Sequence, residues 1–316
     1  MCLRAWLYAL LFPAVLSVGL PRHLAAARQA AQAGTIRVNT GLVQVPVSVT
    51  DAAGHPIKDL QSPDFVVEEN GSPVPIASLG EPGETRLEMV LVFDLTGSVY
   101  GKFDFEEEAA LRFLKTIFRQ GDAVSVLCIG VKPGVVLERT TSLAEVLDGV
   151  RALKPSGVAT AFFDTVIAAA DILRNSISPE TRRVQIVLSD GEDNFSDQPL
   201  AAALRDVQLA DCIFYSINPG GPSIRLNRVS LRGQQGMEAL AEESGGVAFM
   251  ADNQEALGDI YGRIATELQA QYLIGYYTPD SQTDGSFRRI TVRLPRQSQL
   301  RVRARQGYYA VKAVAR

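Results

Sequence analysis

Apolar strand-like runs alternate with amphipathic helical stretches between residues 87 and 270, and this predicts an α/β fold with a doubly wound, mainly parallel sheet of about six strands. On both sides of that stretch the pattern changes to period-two apolar residues between Gly, Asn, Asp and Pro turns, which predicts a small β unit formed by the N- and C-terminal segments. Residues 1–33 differ from both and have the composition of a targeting segment. The expected organisation is therefore 1–33 signal peptide, 34–84 N-terminal β segment, 85–270 α/β domain and 271–316 C-terminal β segment.

Within residues 1–33, Arg4 precedes an apolar run over 5–20, and Ala31-Gln-Ala33 forms a small-residue end before Gly34. The run is short for a membrane span, so a cleavable secretory signal is expected, with an uncleaved N-terminal anchor as the alternative. Cys2 precedes the run, which does not support lipoprotein attachment. An exported chain is expected, periplasmic, envelope-associated or extracellular, with no transmembrane span once processed.

The first β segment carries Ile36 and Val38, then Val43, Val45, Val47 and Val49, and resumes at Phe65-Val-Val67 before the turn Glu69-Asn-Gly-Ser-Pro73. A unit of about 50 residues is marginal alone and needs a packing partner. Met89-Val-Leu-Val-Phe93 is a continuous apolar run, suited to a strand covered on both faces. Residues 105–118 then place Ala109, Phe113, Leu114 and Ile117 at helical spacing, with Glu106 to Glu108 in the first turn, where they complement the helix dipole. Strands follow over 123–129, 135–137, 184–188, 212–217 and 247–250, and helices over 143–153, 161–173, 200–209, 237–243 and 255–270. The chain returns to β over 271–278, 287–294 and 300–305, with Asp284-Gly285 as a turn. These strands are expected to pair with those of residues 36–67, so that the two chain ends meet.

Composition narrows the chemistry. The chain has 316 residues, 47% hydrophobic and 21% charged, with a net charge of −4 and two histidines. His23 lies in the targeting segment, so a triad, a two-His zinc motif or a Cys-His pair would all have to use His55, in the turn Asp51-Ala-Ala-Gly-His-Pro56. A mildly acidic chain is not a general nucleic-acid binder, and no nucleic-acid partner is expected. Residues 288–316 nevertheless hold nine Lys and Arg and no Asp or Glu. Arg289 and Arg293 alternate with Ile290 and Val292, and Arg301, Arg303 and Arg305 with Val302 and Ala304. The expected role is the solvated face of a half-buried sheet, the alternative being attraction to an anionic envelope polymer or an acidic partner. Cys128 and Cys212 fall on strands that are not neighbours, so buried free thiols are expected rather than a disulfide.

Three polar clusters punctuate the α/β stretch: Asp94-Leu-Thr96-Gly-Ser98, Ser156-Gly-Val-Ala-Thr160 leading into Phe162-Phe-Asp164, and Ser189-Asp190-Gly-Glu-Asp-Asn194. The first and third follow strands, and in doubly wound sheets ligands bind at strand carboxyl ends, where the strand order reverses. Carboxylates and hydroxyls gathered there make an all-oxygen donor set of the kind hard divalent cations prefer. Alternate residues of an Asp-x-Thr-x-Ser turn point to one side, and Asp193 is available for outer-shell waters. Each cluster also has an ordinary use: Asp94 or Thr96 as a helix cap, Thr160 as the N-cap of the helix containing Asp164, and Asp190-Gly191 as a turn.

In this order the clusters resemble the metal-ion-dependent adhesion site of von Willebrand factor type A domains. The surrounding strings, with Gln271-Tyr-Leu-Ile-Gly-Tyr276 and Gly307-Tyr308 in the tail, are similar to exported type A-related proteins abundant in acidobacteria. The resemblance implies that Thr96, Ser98 and Thr160 coordinate Mg²⁺ by hydroxyl oxygens, Mn²⁺ and Ca²⁺ being the other candidates, and that Asp94 and Asp190 act largely through coordinated waters. An acidic group of a protein partner would complete the shell. Thr96 stands where the motif usually has Ser, which keeps the oxygen and adds a methyl. The expected function is metal-dependent protein binding and not catalysis. The alternatives are a structural or envelope-assembly module whose metal site is non-functional, and a metal-dependent hydrolase. The hydrolase lacks an evident base beyond the metal-site acids.

Overall fold

The computed structural model describes residues 41–311 except 97–102, 156–158, 176–180, 221–227, 252 and 281. The chain divides into two compact units, Met1–Asn39 and Thr40–Arg316, and all described residues belong to the second. The targeting segment, the expected strand at Ile36 and Val38, Ser98 and the stretch 156–158 lie outside the described residues.

The central sheet is built around β5 (Leu87–Asp94), which is buried along its whole length. Leu87, Met89, Leu91 and Phe93 enter one apolar core, while Val90 and Val92 enter another on the opposite face. The strand is apolar from Met89 to Phe93 because both its faces are covered there, as buried parallel strands require. Its companions are β6 (Ala123–Ile129), β7 (Gly134–Thr140), β8 (Arg182–Leu188), β9 (Cys212–Asn218) and β10 (Ala248–Met250), in the order β10-β9-β8-β5-β6-β7. All pairs are parallel except β6 with β7. From β5 the chain first builds outward through β6 and β7, then returns to place β8 on the other side. The order therefore reverses between β5 and β8.

Helices α1 (Phe103–Ile117), α2 (Leu143–Arg151) and α6 (Gln254–Ala270) cover one face, contributing Phe113, Val146 and Ile264 among others to its core. On the other face lie α3 (Phe162–Arg174), α4 (Leu200–Leu209) and α5 (Arg228–Ser244), with Val166, Val207 and Leu240 in the core. The expected three-layer α/β architecture is thus present. Helix α5 begins well before the expected 237–243, because the polar, glycine-containing stretch Arg232-Gly-Gln-Gln-Gly236 shows little helical signal in sequence. None of the helices in the described residues is long and apolar enough to cross a membrane.

The outer segments form two four-stranded antiparallel sheets. One is β13-β1-β11-β4, from β1 (Leu42–Thr50), β4 (Ile76–Gly80), β11 (Tyr272–Tyr277) and β13 (Arg301–Ala304); the other is β14-β12-β2-β3, from β2 (Val66–Glu69), β3 (Ser72–Val74), β12 (Phe287–Arg293) and β14 (Gly307–Tyr309). The chain ends pair directly, with Val45 opposite Ile274 and Val67 opposite Val292. Val45, Val47 and Ile274 from one sheet share a core with Val67, Val74 and Ile290 from the other. Strands β3, β4 and β14 are additions to the sequence expectation, being too short to show a period. A two-residue turn, Asn70 and Gly71 with φ of 51° and 80°, joins β2 to β3, which suits a type I′ hairpin.

The expectation of a solvated arginine face needs correction. Arg289, Arg293 and Arg301 are exposed, but Arg288 and Arg305 are 2% and 7% exposed. Arg305 pairs with Asp211 and donates to the Gln44 carbonyl at 2.8 Å. Arg303 donates to the Gly246 carbonyl at 3.1 Å and pairs with Glu267 of α6. The polar side of β13 is covered by the α/β layers, so its guanidinium groups serve as ties. Glu267 is the hub of those ties, accepting also from Ser48 Oγ of β1 at 2.9 Å and Tyr215 OH of β9 at 2.7 Å.

Removing that hub leaves Ser48, Tyr215 and Arg303 without their shared acceptor. Glu267→Ala is expected to lower the unfolding free energy by about 3 kcal/mol and Glu267→Gln by less. Urea midpoints measure both, and a midpoint for Glu267→Ala matching the parent contradicts the assignment.

Candidate metal site

The register Phe93 opposite Leu188 sets Asp94 and Ser189, the next residues of β5 and the strand end after β8, side by side at the point where strand order reverses. Asp94 is 0% exposed. Its Oδ1 accepts from the Thr96 amide at 3.0 Å and from Thr96 Oγ1 at 2.6 Å, and its Oδ2 accepts from Ser189 Oγ at 2.6 Å. Burial pushes this carboxyl above the usual range, against the pull of the Ser189 and Thr96 hydrogen bonds, and the charge of Asp190 adds to the upward push.

Asp190 is half-buried, and its Oδ1 accepts from the Glu192 amide at 3.0 Å, closing a tight side-chain turn. Gly191 sits inside that turn with φ of 74°. It meets Gly233 of α5 so closely that a Cβ on Gly191 would fall 2.7 Å from the Gly233 carbonyl oxygen, and one on Gly233 would fall 2.5 Å from Gly191. Ser230 of α5 donates to Glu192 nearby. The unexpected first half of α5 therefore packs against the loop that carries Asp190.

Thr160 is buried beside the same loop. Its amide donates to Asn194 Oδ1 at 3.0 Å, and its carbonyl accepts from the Asn194 and Phe195 amides, both at 3.1 Å. These bonds use the backbone of Thr160 and not its hydroxyl. Thr160 does not cap α3: the N-cap position is Ala161, with no side-chain bond of its own. The cap comes from across the loop, where Asp193 Oδ1 accepts from the Phe162 amide at 2.9 Å and Ser196 Oγ accepts from the Asp164 amide at 3.1 Å. Asp164 answers by accepting from the Asp197 and Gln198 amides at 2.9 and 3.0 Å. Asp193 Oδ1 is thereby engaged in holding α3, and also accepts from Ser196 Oγ at 2.6 Å.

The structure thus brings Asp94, Thr96, Thr160 and Asp190 to one rim of the sheet, while Ser98 lies outside the described residues. Asn194 and Ser189, which join the three clusters, stand in the third cluster in sequence, but their roles there depend on partners 34 and 95 residues away. Among the described residues no group of three His, Cys, Asp or Glu gathers as a ligand set. A set of two carboxylates completed by hydroxyls is not of that kind. Two acids share the rim, and Asp190 acts on Asp94 as a like charge. A divalent cation with oxygen ligands fits such a set. His55 belongs to an exposed turn of the β unit, where it contacts Asp51 at 3.1 Å. Cys128 and Cys212 are free, on strands separated by β8 and β5. Cys212 is buried, with burial pushing its thiol up to about 12, whereas Cys128 is only half-buried.

No family model matches the chain, and no curated protein does either. Solved structures do match. Proximal thread matrix protein 1 from the mussel byssus aligns with a TM-score of 0.50 at 13% identity, covering 64% of this chain and 51% of its own. A second structure of that protein, described as having a zinc-occupied MIDAS motif, aligns with a TM-score of 0.49 at 14% identity, covering 62% of this chain and 48% of its own. The vWF domain of the type V pili tip protein Mfa5 from Porphyromonas gingivalis aligns with a TM-score of 0.46 at 13% identity, covering 57% and 95%. None of these matches carries the narrower likeness to acidobacterial proteins. Identities this low speak to fold alone: over 64% of its length the chain shares the fold of proximal thread matrix protein 1.

Proposed function

We propose that this chain is an exported protein that captures a protein partner through a divalent metal ion, Mg²⁺ in the first instance, held by Asp94, Thr96, Ser98, Thr160 and Asp190. The observation that carries the proposal is the fully buried Asp94 carboxylate, whose hydrogen-bond partners are hydroxyls and an amide and whose charged neighbour is another acid. A cation at this rim relieves both the burial and the like-charge repulsion. The Thr96 hydroxyl donates to Asp94 at 2.6 Å, which holds its oxygen at the same rim. Asp190 supplies the second negative charge, and an acidic group of the partner completes the coordination. The function proposed is binding, with no catalytic step.

Apolar side chains around this rim support a protein partner. Phe195, whose amide bonds the Thr160 carbonyl, is 53% exposed, and Val229 and Leu231 are exposed on the first turn of α5 beside the Glu192 contact. Exposed aromatic and aliphatic groups beside a polar anchor are the composition of an interface core.

Metal binding should appear as linkage. Mg²⁺ at about 100 times its dissociation constant should raise the unfolding free energy by about 2.7 kcal/mol, an effect that EDTA reverses. Calorimetric titration and thermal melts measure it, and a melting temperature indifferent to Mg²⁺, Mn²⁺ and Ca²⁺ contradicts a metal site. Asp94→Ala should abolish this stabilisation and the metal-dependent capture of a partner from envelope extract while keeping the fold by circular dichroism. Capture that persists in EDTA, or in Asp94→Ala, contradicts the proposed mode of binding.

A further inference from the structure

We propose that Ser189 is the positioning residue of this metal site: it is not a ligand, but it fixes the direction in which the Asp94 carboxylate faces the metal. The proposal rests on the metal-binding function proposed above. Three bonds define the serine. Its amide donates to the Ile217 carbonyl of β9 at 3.1 Å, continuing the sheet ladder past the end of β8. Its Oγ accepts from the Gly191 amide at 3.0 Å and lies 2.6 Å from Asp94 Oδ2. A hydroxyl has a single proton, and an amide N–H can only donate. With Gly191 occupying a lone pair of Oγ, the proton is left to Asp94, so the direction of the short bond is set by connectivity.

The serine is also immobile. It is 0% exposed, its backbone is tied to β9, and the amide it accepts belongs to a glycine wedged against Gly233. Asp94 therefore has one oxygen held by Thr96, which lies on the loop that leads toward Ser98, and the other held by a fixed point of the sheet. Of the two, only the Ser189 bond joins the carboxylate to a neighbouring strand end and to the turn that carries Asp190. Loss of that bond frees the carboxylate to rotate while leaving every proposed ligand in place.

The test compares cations that differ in their tolerance of geometry, since Mg²⁺ demands near-octahedral order and Ca²⁺ accepts irregular coordination. In calorimetric titrations Ser189→Ala is expected to weaken Mg²⁺ binding about 10- to 100-fold, the usual scale for loss of a group that orients a ligand. Ca²⁺ binding should weaken less, so that the preference for Mg²⁺ over Ca²⁺ shifts measurably. Ser189→Thr, which keeps the hydroxyl, should restore that preference. Ser189→Cys, with similar volume and a weak donor, should fall between, and it carries the comparison if Thr does not fit the buried site. Unchanged Mg²⁺ affinity in Ser189→Ala overturns the proposal. Equal losses for both cations, unrescued by Thr and Cys, also overturn it and make Ser189 a purely structural residue. If the parent binds none of these cations and matches Asp94→Ala, it is the metal-binding function itself that fails, and the positioning role with it.

Discussion

A carboxylate kept out of water at the end of the central strand is the constraint around which the rim of this protein is arranged. An ionised Asp94 in that position is costly unless its oxygens are bonded and its charge is met. The fold meets the first requirement from within, through the Thr96 amide and hydroxyl and the Ser189 hydroxyl. It brings Asp190 close enough to raise the carboxyl further. The reversal of strand order between β5 and β8 is what makes this possible, because it puts two strand ends next to each other with no crossover covering them. The loop after β8 then does several jobs at once: it presents Asp190, caps α3 with Asp193 and Ser196, and grips the Thr160 backbone with Asn194. The three polar clusters are in this way one hydrogen-bonded assembly.

The β unit follows a different logic. Each terminal segment exposes an apolar face it cannot bury alone, and pairing β1 with β11 and β2 with β12 buries both. The packing of the two sheets includes a polar cluster, in which Glu69 accepts from Tyr276 OH at 2.9 Å, Tyr308 OH at 3.0 Å and Thr278 Oγ1 at 2.7 Å, with Arg288 3.9 Å away. Burial, reinforced by the Glu69 carboxylate, pushes Tyr276 well above the ordinary phenol range and keeps it a donor. Glu69 and those partners come from four separate strands or their ends, so the cluster is satisfied in one register of the sandwich and in few others, which makes it a specificity device as well as a stabilising one.

Much of the α/β architecture was legible because its signals are local. A continuous apolar run at Met89-Val-Leu-Val-Phe93 suits a strand covered on both sides, and the structure covers it on both sides. The spacing of Ala109, Phe113, Leu114 and Ile117 likewise corresponds to the buried stripe of α1. The first half of α5 was not legible, because Gly233 and Gly236 lower its helical signal while one of them is required by the contact with Gly191. The short strands β3, β4 and β14 were missed because three to five residues hold too little pattern. Asp193 was available on paper as a water-binding acid, and its engagement with Phe162 depends on a neighbour 31 residues away.

By itself, then, the sequence determined which of the longer elements form, which of their faces are apolar, and which oxygen-bearing side chains follow the strands β5 and β8. These are properties of neighbours along the chain, fixed by strand and helix periods. Only the tertiary structure decided what covers each face and which loops meet. Arg303 and Arg305 became ties to the α/β layers because β13 lies against them, while Arg301 on the same strand stayed exposed. Ser189 came to hold Asp94 because parallel pairing aligned two strand ends that lie 95 residues apart. Periodicity carries no record of such distances, since a side chain's partner across a sheet depends on strand order, and strand order is set by long-range packing.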